Sequence, residues 1–311
     1  LADGYAFYDN DGKLVNAAEI TGRYLYNIHI GTHAHNIVNG SCACGKKFEA
    51  SVTAEDGVSY YDTIDSAFAA AHAGGTVKLL ADITNRGGRG IFVSGGPYTL
   101  DLNGHRIDAG IDLMVGGMDG SGELTVKDSS TNNAGYVPTL KLWKGDLTVE
   151  SGSFRWIVES GPDSVGTITI TGGTADEVQH TSAGVTFRLS GGTFKSVENI
   201  VSGKPGDLLA DNRAFFDRGN DNNFVNGYDD RYQAVRDVVV KEHKHSIVGG
   251  VCACGFTCAH DWSNKNGVCK KANCGYHCPH NAGAVETGGV WACNTCGQTV
   301  TAKVTAPDGA I

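Results

Sequence analysis

The chain has 311 residues, a formal net charge of −9, 44 glycines, 6 prolines, 2 methionines and 10 cysteines. The acidic balance argues against a nucleic-acid partner, because phosphate backbones are bound by basic surfaces. No run of about 18 apolar residues occurs, so no membrane-inserted helix is expected. High glycine with abundant Thr, Ser and Asp points to short strands and many turns.

Residues 1–23 predict a hairpin: apolar Ala6-Phe7-Tyr8, turn residues Asn10-Asp11-Gly12, then Lys13-Leu14-Val15. A Ca²⁺ loop drawn from Asp9 and Asp11 is the competing account, but turn chemistry explains both residues without an ion. Residues 24–30 read as a strand leading into a first small metal module, 24–49. Residues 50–205 predict a mainly β domain, a right-handed parallel β-helix with a capping helix at 61–73. In that helix Ile64, Phe68 and Ala71 share a face, Asp62 or Thr63 caps the start, and Gly74-Gly75 ends it. The helix would cover the open end of the coil, whose strand edge and apolar core are otherwise exposed.

From the strand at residues 76–84 to about residue 203, short alternating segments replace helices. Leu147-Thr148-Val149 aligns with Ile168-Thr169-Ile170 and with Phe187-Arg188-Leu189, each followed within a few residues by glycine. Leu124-Thr125-Val126, Leu100-Asp101-Leu102 and Val77-Lys78-Leu79 extend the series backward in steps of about 19 to 24 residues, the period of a stacked β-coil. The rival architecture is an antiparallel sandwich. A hairpin or cap is expected at 206–237, followed by metal modules at 238–256, 257–276 and 277–297.

All ten cysteines and six of the eleven histidines fall into four quartets. They are His33, His35, Cys42, Cys44; His243, His245, Cys252, Cys254; Cys258, His260, Cys269, Cys274; and Cys278, His280, Cys293, Cys296. Each opens Cys-x-His or His-x-His and closes with a cysteine pair followed by glycine, at Gly45, Gly255, Gly275 and Gly297. Four soft N/S donors with no open position meet the requirement of a closed, structural tetrahedral zinc site, so four zinc ions are expected. Glycine after the last cysteine suits a turn of positive φ that frees backbone N–H groups to face the sulfurs. Disulfides are the competing account of an even cysteine count. Recurring histidines, and the strain of bridging a Cys-x-Cys pair, count against them.

The chain also repeats itself. Leu1-Ala2-Asp3, Ala6-Phe7 and Asp9 match Leu209-Ala210-Asp211, Ala214-Phe215 and Asp217, and the module at His33–Gly45 matches that at His243–Gly255. Residues 302–309 match 50–57, so 298–311 reads as the start of another repeat. The expectation is one period of about 210 residues from a tandem array within a longer protein, residues 1–23 ending the preceding period.

The capping helix with its following strand, the segments YTLDLNGHRI, GELTVKDSS, GDLTVESGSF and VTFRLSGGTF, the hairpin LADGYAFYDNDG and the cysteine knuckles together resemble large repetitive, adhesin-like cell-surface proteins of Gram-positive gut bacteria. That resemblance implies an extracellular, surface-anchored location. It also implies a rigid stalk that binds a host protein, such as immunoglobulin or a matrix protein, or a glycan. Neighbouring repeats of the same chain would be its other partners. It maps no catalytic residue.

Parallel β-helices can carry polysaccharide lyases or hydrolases, which need clustered acids on neighbouring coils. Glu150, Arg155, Glu159, Asp163, Asp176 and Glu177 lie in different registers and read as solvated turn and face residues. Trp143 and Trp156 could stack on a sugar, or pack under a loop. His72, His105 and His180 lack partners at ligand spacing, and His29 and His277 sit beside modules but outside the pattern. No Gly-x-Ser-x-Gly elbow supports a serine hydrolase.

Overall fold

The computed structural model describes residues 4–16, 27–54, 57–84, 86–118, 120–220, 222–225, 227–243, 247–248, 251–252, 284–287, 290–293 and 297–299. Strands β1 (Tyr5–Tyr8), β2 (Leu14–Val15) and β3 (His29–Thr32) form an antiparallel sheet in the order β2-β1-β3. The expected turn joins β1 to β2: Gly12 has φ 75°, and the Asp9 carboxylate accepts the N–H groups of Asp11 and Lys13. That carboxylate is satisfied by the turn itself, as the ion-free account requires.

A small hairpin follows, β4 (Ile37–Val38) and β5 (Ser41–Cys42), then the antiparallel pair β6 (Ala50–Ala54) and β7 (Gly57–Tyr61), then helix α1 (Ile64–Ala70). The helix is shorter than the expected 61–73. Tyr61 is held in the ladder opposite Ala50, and Ala71 already has extended backbone. Thr63 caps it, its hydroxyl accepting the Ser66 N–H, and Ile64, Phe68 and Ala71 are buried as their spacing predicts. The helix lies against β6 and the first coil, in the expected capping place.

The coil runs through β8 (Thr76–Leu79), β9 (Ile91–Val93), β10 (Gly95–Asp101), β11 (Asp112–Val115), β12 (Gly122–Lys127) and β13 (Tyr136–Leu142). It continues through β14 (Lys144–Val149), β15 (Ser153–Glu159), β16 (Val165–Ile170), β17 (Thr174–His180), β18 (Val185–Leu189) and β19 (Thr193–Asn199). Even-numbered strands stack into one sheet and odd-numbered strands into the other, every neighbouring pair parallel, making about 6 turns of a β-solenoid. Parallel pairing excludes the sandwich.

The register explains why the sequence repeats. Val77, Leu100, Val126, Val149, Ile170 and Leu189 stack directly upon one another on successive even strands and are all fully buried. Leu113, Leu140, Ile157, Val178 and Val197 form the facing ladder. One alignment needs correcting: Tyr98-Thr99-Leu100, rather than Leu100-Asp101-Leu102, stacks on Leu124-Thr125-Val126. The shift is by two residues, which keeps the same side chains inward, so hydrophobic pattern alone does not detect it.

The corner at Gly152, Gly173 and Gly192 has φ of 106°, 83° and 105°, as the Gly-rich bends suggest. A second glycine column, Gly122, Gly145 and Gly166, stacks in register at the strand starts. A Cβ on Gly166 would lie 1.7 Å from the Gly145 carbonyl oxygen, so successive coils touch there by bare backbone.

After a 3₁₀ turn at Pro205–Leu208 come β20 (Arg213–Asp217) and β21 (Ala234–Glu242), where a hairpin or cap is expected. β21 pairs antiparallel with both β20 and β19 and so closes the far end of the coil. Short strands β22 (Ile247–Val248), β23 (Val251–Cys252), β24 (Ala284–Thr287) and β25 (Val290–Cys293) complete the described chain.

Candidate metal centre

The first knuckle is shaped by its hairpin. Asn39 (φ 48°) and Gly40 (φ 71°) link β4 to β5, the two-residue turn that an Asn-Gly pair favours because both positions need positive φ. This dipeptide was legible in the sequence and went unread. Beyond β5 the chain doubles back: the Gly45 N–H donates to the Cys42 carbonyl and the Cys42 N–H to the Lys46 carbonyl, with Gly45 at φ 88°. The glycine expectation therefore holds here.

These turns bring His33, His35, Cys42 and Cys44 together, their donor atoms all within 4.8 Å of one another. His33 Nε2 lies 2.9 Å from Cys42 Sγ, and His35 Nδ1 3.6 Å from Cys44 Sγ. Around zinc at its usual bond lengths, tetrahedral donor–donor edges are about 3.3–3.8 Å. The observed span brackets that range, and two imidazoles with two thiols are the donor chemistry of a structural zinc. The four residues fit the ion.

The surroundings support ligation. Tyr8 Oη donates to the Thr32 carbonyl at 3.2 Å and stands 3.3 Å from His33 Nδ1. A Tyr8 hydroxyl that donates to Thr32 can accept from Nδ1–H, the tautomer that turns the Nε2 lone pair toward the sulfurs. Burial pushes the Cys42 thiol up, but the Cys44 backbone and the His33 ring outweigh it and bring it down to about 7. Burial raises the Cys44 thiol, and its neighbour Cys42 adds to that. Only one of the two sulfurs is thus poised as a thiolate before a cation arrives to deprotonate the other.

The knuckle is seated on the coil. Cys42 and Cys44 share a small core with Ala6 and Phe48, against which Tyr8, Ile37, Tyr60 and Leu80 pack. A Cβ on Gly40 would meet the Leu80 carbonyl at 2.9 Å and Ala81 at 2.7 Å, so close approach to the coil demands glycine there.

Part of the second knuckle is described, and it repeats the first. Ile247 pairs Cys252 as Ile37 pairs Cys42, and His243 Nε2 lies 3.1 Å from Cys252 Sγ. Burial against Phe216 and Phe224 lowers the His243 pKa, favouring the neutral imidazole that a metal requires. His245 and Cys254 lie outside the described residues, as do Cys258, His260, Cys269, Cys274, Cys278, His280 and Cys296. The third quartet is therefore undescribed. Of the fourth, Cys293 is a buried residue at the end of β25, with the Gly297 N–H (φ 66°) returning to its carbonyl. Cys42, Cys44 and Cys252 are free thiols.

The remaining flagged residues sort by burial. Glu150, Arg155, Asp163, Asp176 and His72 are exposed, as expected. Glu159 is not a solvated face residue: it is buried and accepts from His180 Nδ1 at 2.7 Å, from Thr181 N–H and Oγ–H, and from Ser182 N–H. His180 packs at a tilt against Phe187 and is also buried. His105 bonds Asp82, and His29 stacks on Tyr8.

Trp156, 38% exposed, lines a shallow groove of about 290 Å³ on the outer face of the odd-numbered sheet, with Asp112, Thr139, Lys141, Val158, Glu177 and Gln179. Arg155 lies over its ring, its Nε1–H donates to Glu177 at 3.2 Å, and Lys141 pairs with Asp112 at 2.6 Å. Trp143 is half-buried. Comparison with protein-family models, curated proteins and solved structures finds no match to this chain.

Proposed function

We propose that this chain is a non-catalytic, load-bearing segment of a cell-surface protein. In it a β-solenoid forms a rigid rod, and zinc-clamped knuckles fix its ends. The observation that carries this reading is the recurrence of one hairpin-and-knuckle unit at both ends of a single uninterrupted parallel ladder. A catalytic coil needs convergent acids in a cleft; here the groove carboxylates Asp112 and Glu177 are engaged by Lys141 and Trp156. The remaining quartets, filled with zinc, would extend the same clamp through 238–297.

The groove around Trp156 favours a second role, presentation of a surface to a host protein or glycan. An indole edged by carboxylate, ammonium and amide groups supplies stacking and hydrogen bonds in one place. The test is incubation with immobilised mucin glycans, immunoglobulin and matrix proteins, alongside product detection with pectin and hyaluronan. Saturable binding weakened several-fold by Trp156→Ala, with no turnover, is expected. Absence of binding reduces the chain to a spacer. Polysaccharide turnover that disappears in Glu177→Gln overturns the non-catalytic reading.

A further inference from the structure

The hairpins that precede the first and second knuckles are one unit in one register. Tyr5 pairs Thr32 and Tyr8 pairs His29 in the first; Arg213 pairs Glu242 and Phe216 pairs Val239 in the second. Gly4 and Asn212 both have positive φ, and their carbonyls accept the N–H of His33 and of His243, each at 2.8 Å. Asn27 (φ 59°), just ahead of β3, matches Asp237 (φ 50°) within β21. Asp9 and Asp217 each hold the turn that follows them through Oδ1.

The two units differ in what covers them. In the second, β21 lies between β20 and the last coil strand β19, with Thr193 opposite Val239, Phe194 opposite Val238 and Val197 opposite Val235. The Val240 N–H donates to the Gly192 carbonyl at 2.9 Å, and Val240 is 3% exposed within the coil's core. In the first unit, β3 is an edge strand among the described residues. Ile30 stands where Val240 stands, and it is 60% exposed. Phe7 stands where buried Phe215 stands, and it is half-buried. The sequence keeps the apolar pattern, Leu25, Ile28 and Ile30 matching Val235, Val238 and Val240. An exposed apolar edge strand invites pairing with another strand.

We propose that the free edge of β3 and its apolar face dock the last coil of a second copy of this solenoid, placed ahead of Leu1 as residues 50–208 are placed ahead of Leu209. That copy's Thr193 lies opposite His29 and its Phe194 opposite Ile28, as they lie opposite Val239 and Val238 here, and its Gly192 carbonyl accepts the Ile30 N–H. The chain's own β19 is already taken by β21, so the occupant comes from another copy. This inference rests on the rod reading and supplies its joint: one hairpin closes the coil before it and carries the knuckle that seats the coil after it.

The test is a two-copy chain, residues 1–208 followed by the full 1–311, with Ile30→Val in the downstream copy only so that its peptide has its own mass. Amide exchange over residues 28–32 of that copy is compared with the single chain carrying the same substitution. Slowing of about tenfold or more is expected in the two-copy chain, and Ile30→Asp at the same place abolishes it. In the single chain Ile30→Asp leaves the melting temperature unchanged, whereas Val240→Asp lowers it. Equal exchange in the two chains while both solenoids keep their own amide protection overturns the joint, as does an Ile30→Asp single chain that melts as early as Val240→Asp. Either failure is separate from the rod reading, which the binding and turnover experiments decide.

Discussion

Removing the metal from the first knuckle should unfold that knuckle and spare the coil. The buried core around residues 33–45 consists of Ala6, Cys42, Cys44 and Phe48. Burying one phenylalanine, two cysteines and one alanine is worth about 5 kcal/mol. Fixing residues 33–45 costs at least about 13 kcal/mol at about 1 kcal/mol per residue. A structural zinc would cover the shortfall of about 8 kcal/mol, with about 10–16 kcal/mol of apparent binding free energy. The solenoid core runs from Ala50 to Val240 and includes none of the knuckle's ligands. A strong chelator, or Cys42→Ser with Cys44→Ser, should therefore bring amide exchange over 33–48 close to the unfolded rate while β8 to β19 stay protected. Metal analysis of the untreated protein and of the double variant gives the stoichiometry, which should differ by one ion. Knuckle amides equally protected with and without metal, or less than about one zinc per untreated chain, would refute the reasoning.

Glu159→Ala should destabilise the coil by about 3 kcal/mol or more in denaturant titration, because it strands the buried His180 and Ser182 donors. Gly166→Ala should cost about 3 kcal/mol or more, since φ 135° is strained for alanine and the new Cβ meets the Gly145 carbonyl; an unchanged melting temperature would contradict the close backbone contact in that glycine column. Asp128 accepts from Gly104 N–H, Gly135 N–H and Ser130, and although burial opposes it, these bonds hold its carboxyl below the usual carboxylate range. Its contribution to stability is thus full above the unfolded-state value near 3.8 and is lost as pH falls through the lower folded value, a loss that Asp128→Asn should abolish in acid-melting profiles.

The coil was legible because its chemistry is periodic. Leu147, Ile168 and Phe187 repeat at nearly constant spacing, and the structure stacks them in one column. Coil length changes before β12, so pattern matching slipped by two residues at Tyr98. The first metal quartet was legible because its spacing recurs, and the structure gathers those four donors. Glu159 was misread because a buried acid looks like a solvated one when its partner is a coil away. His180 occupies the position directly above it and Asn199 the next, both buried, so stacking the sequence by coil rather than reading it linearly would have exposed a buried polar column beside the apolar ladders. The groove was partly legible: Trp156 and Glu177 were both flagged, but only the register Trp156 opposite Glu177 places them side by side.

Both ends of the coil solve one problem by reversing strand direction. At the start, β6 lies antiparallel to β8 with α1 over the core; at the finish, β21 lies antiparallel to β19. A parallel stack can accept further coils indefinitely, and an antiparallel strand stops it. The stopping strand at the finish runs straight on into His243, and β3 runs straight on into His33, so the first ligand of each knuckle is anchored by the element that terminates, or is positioned to terminate, a coil. A joint of about 13 residues is too small to hold a rod in line by burial alone. A tetrahedral ion would fix four points at once, where bending forces on a chain of rigid coils would concentrate. On the proposed reading, metal at the joints and apolar ladders within the rods would be two answers to the same mechanical demand, set by how much surface each segment can bury.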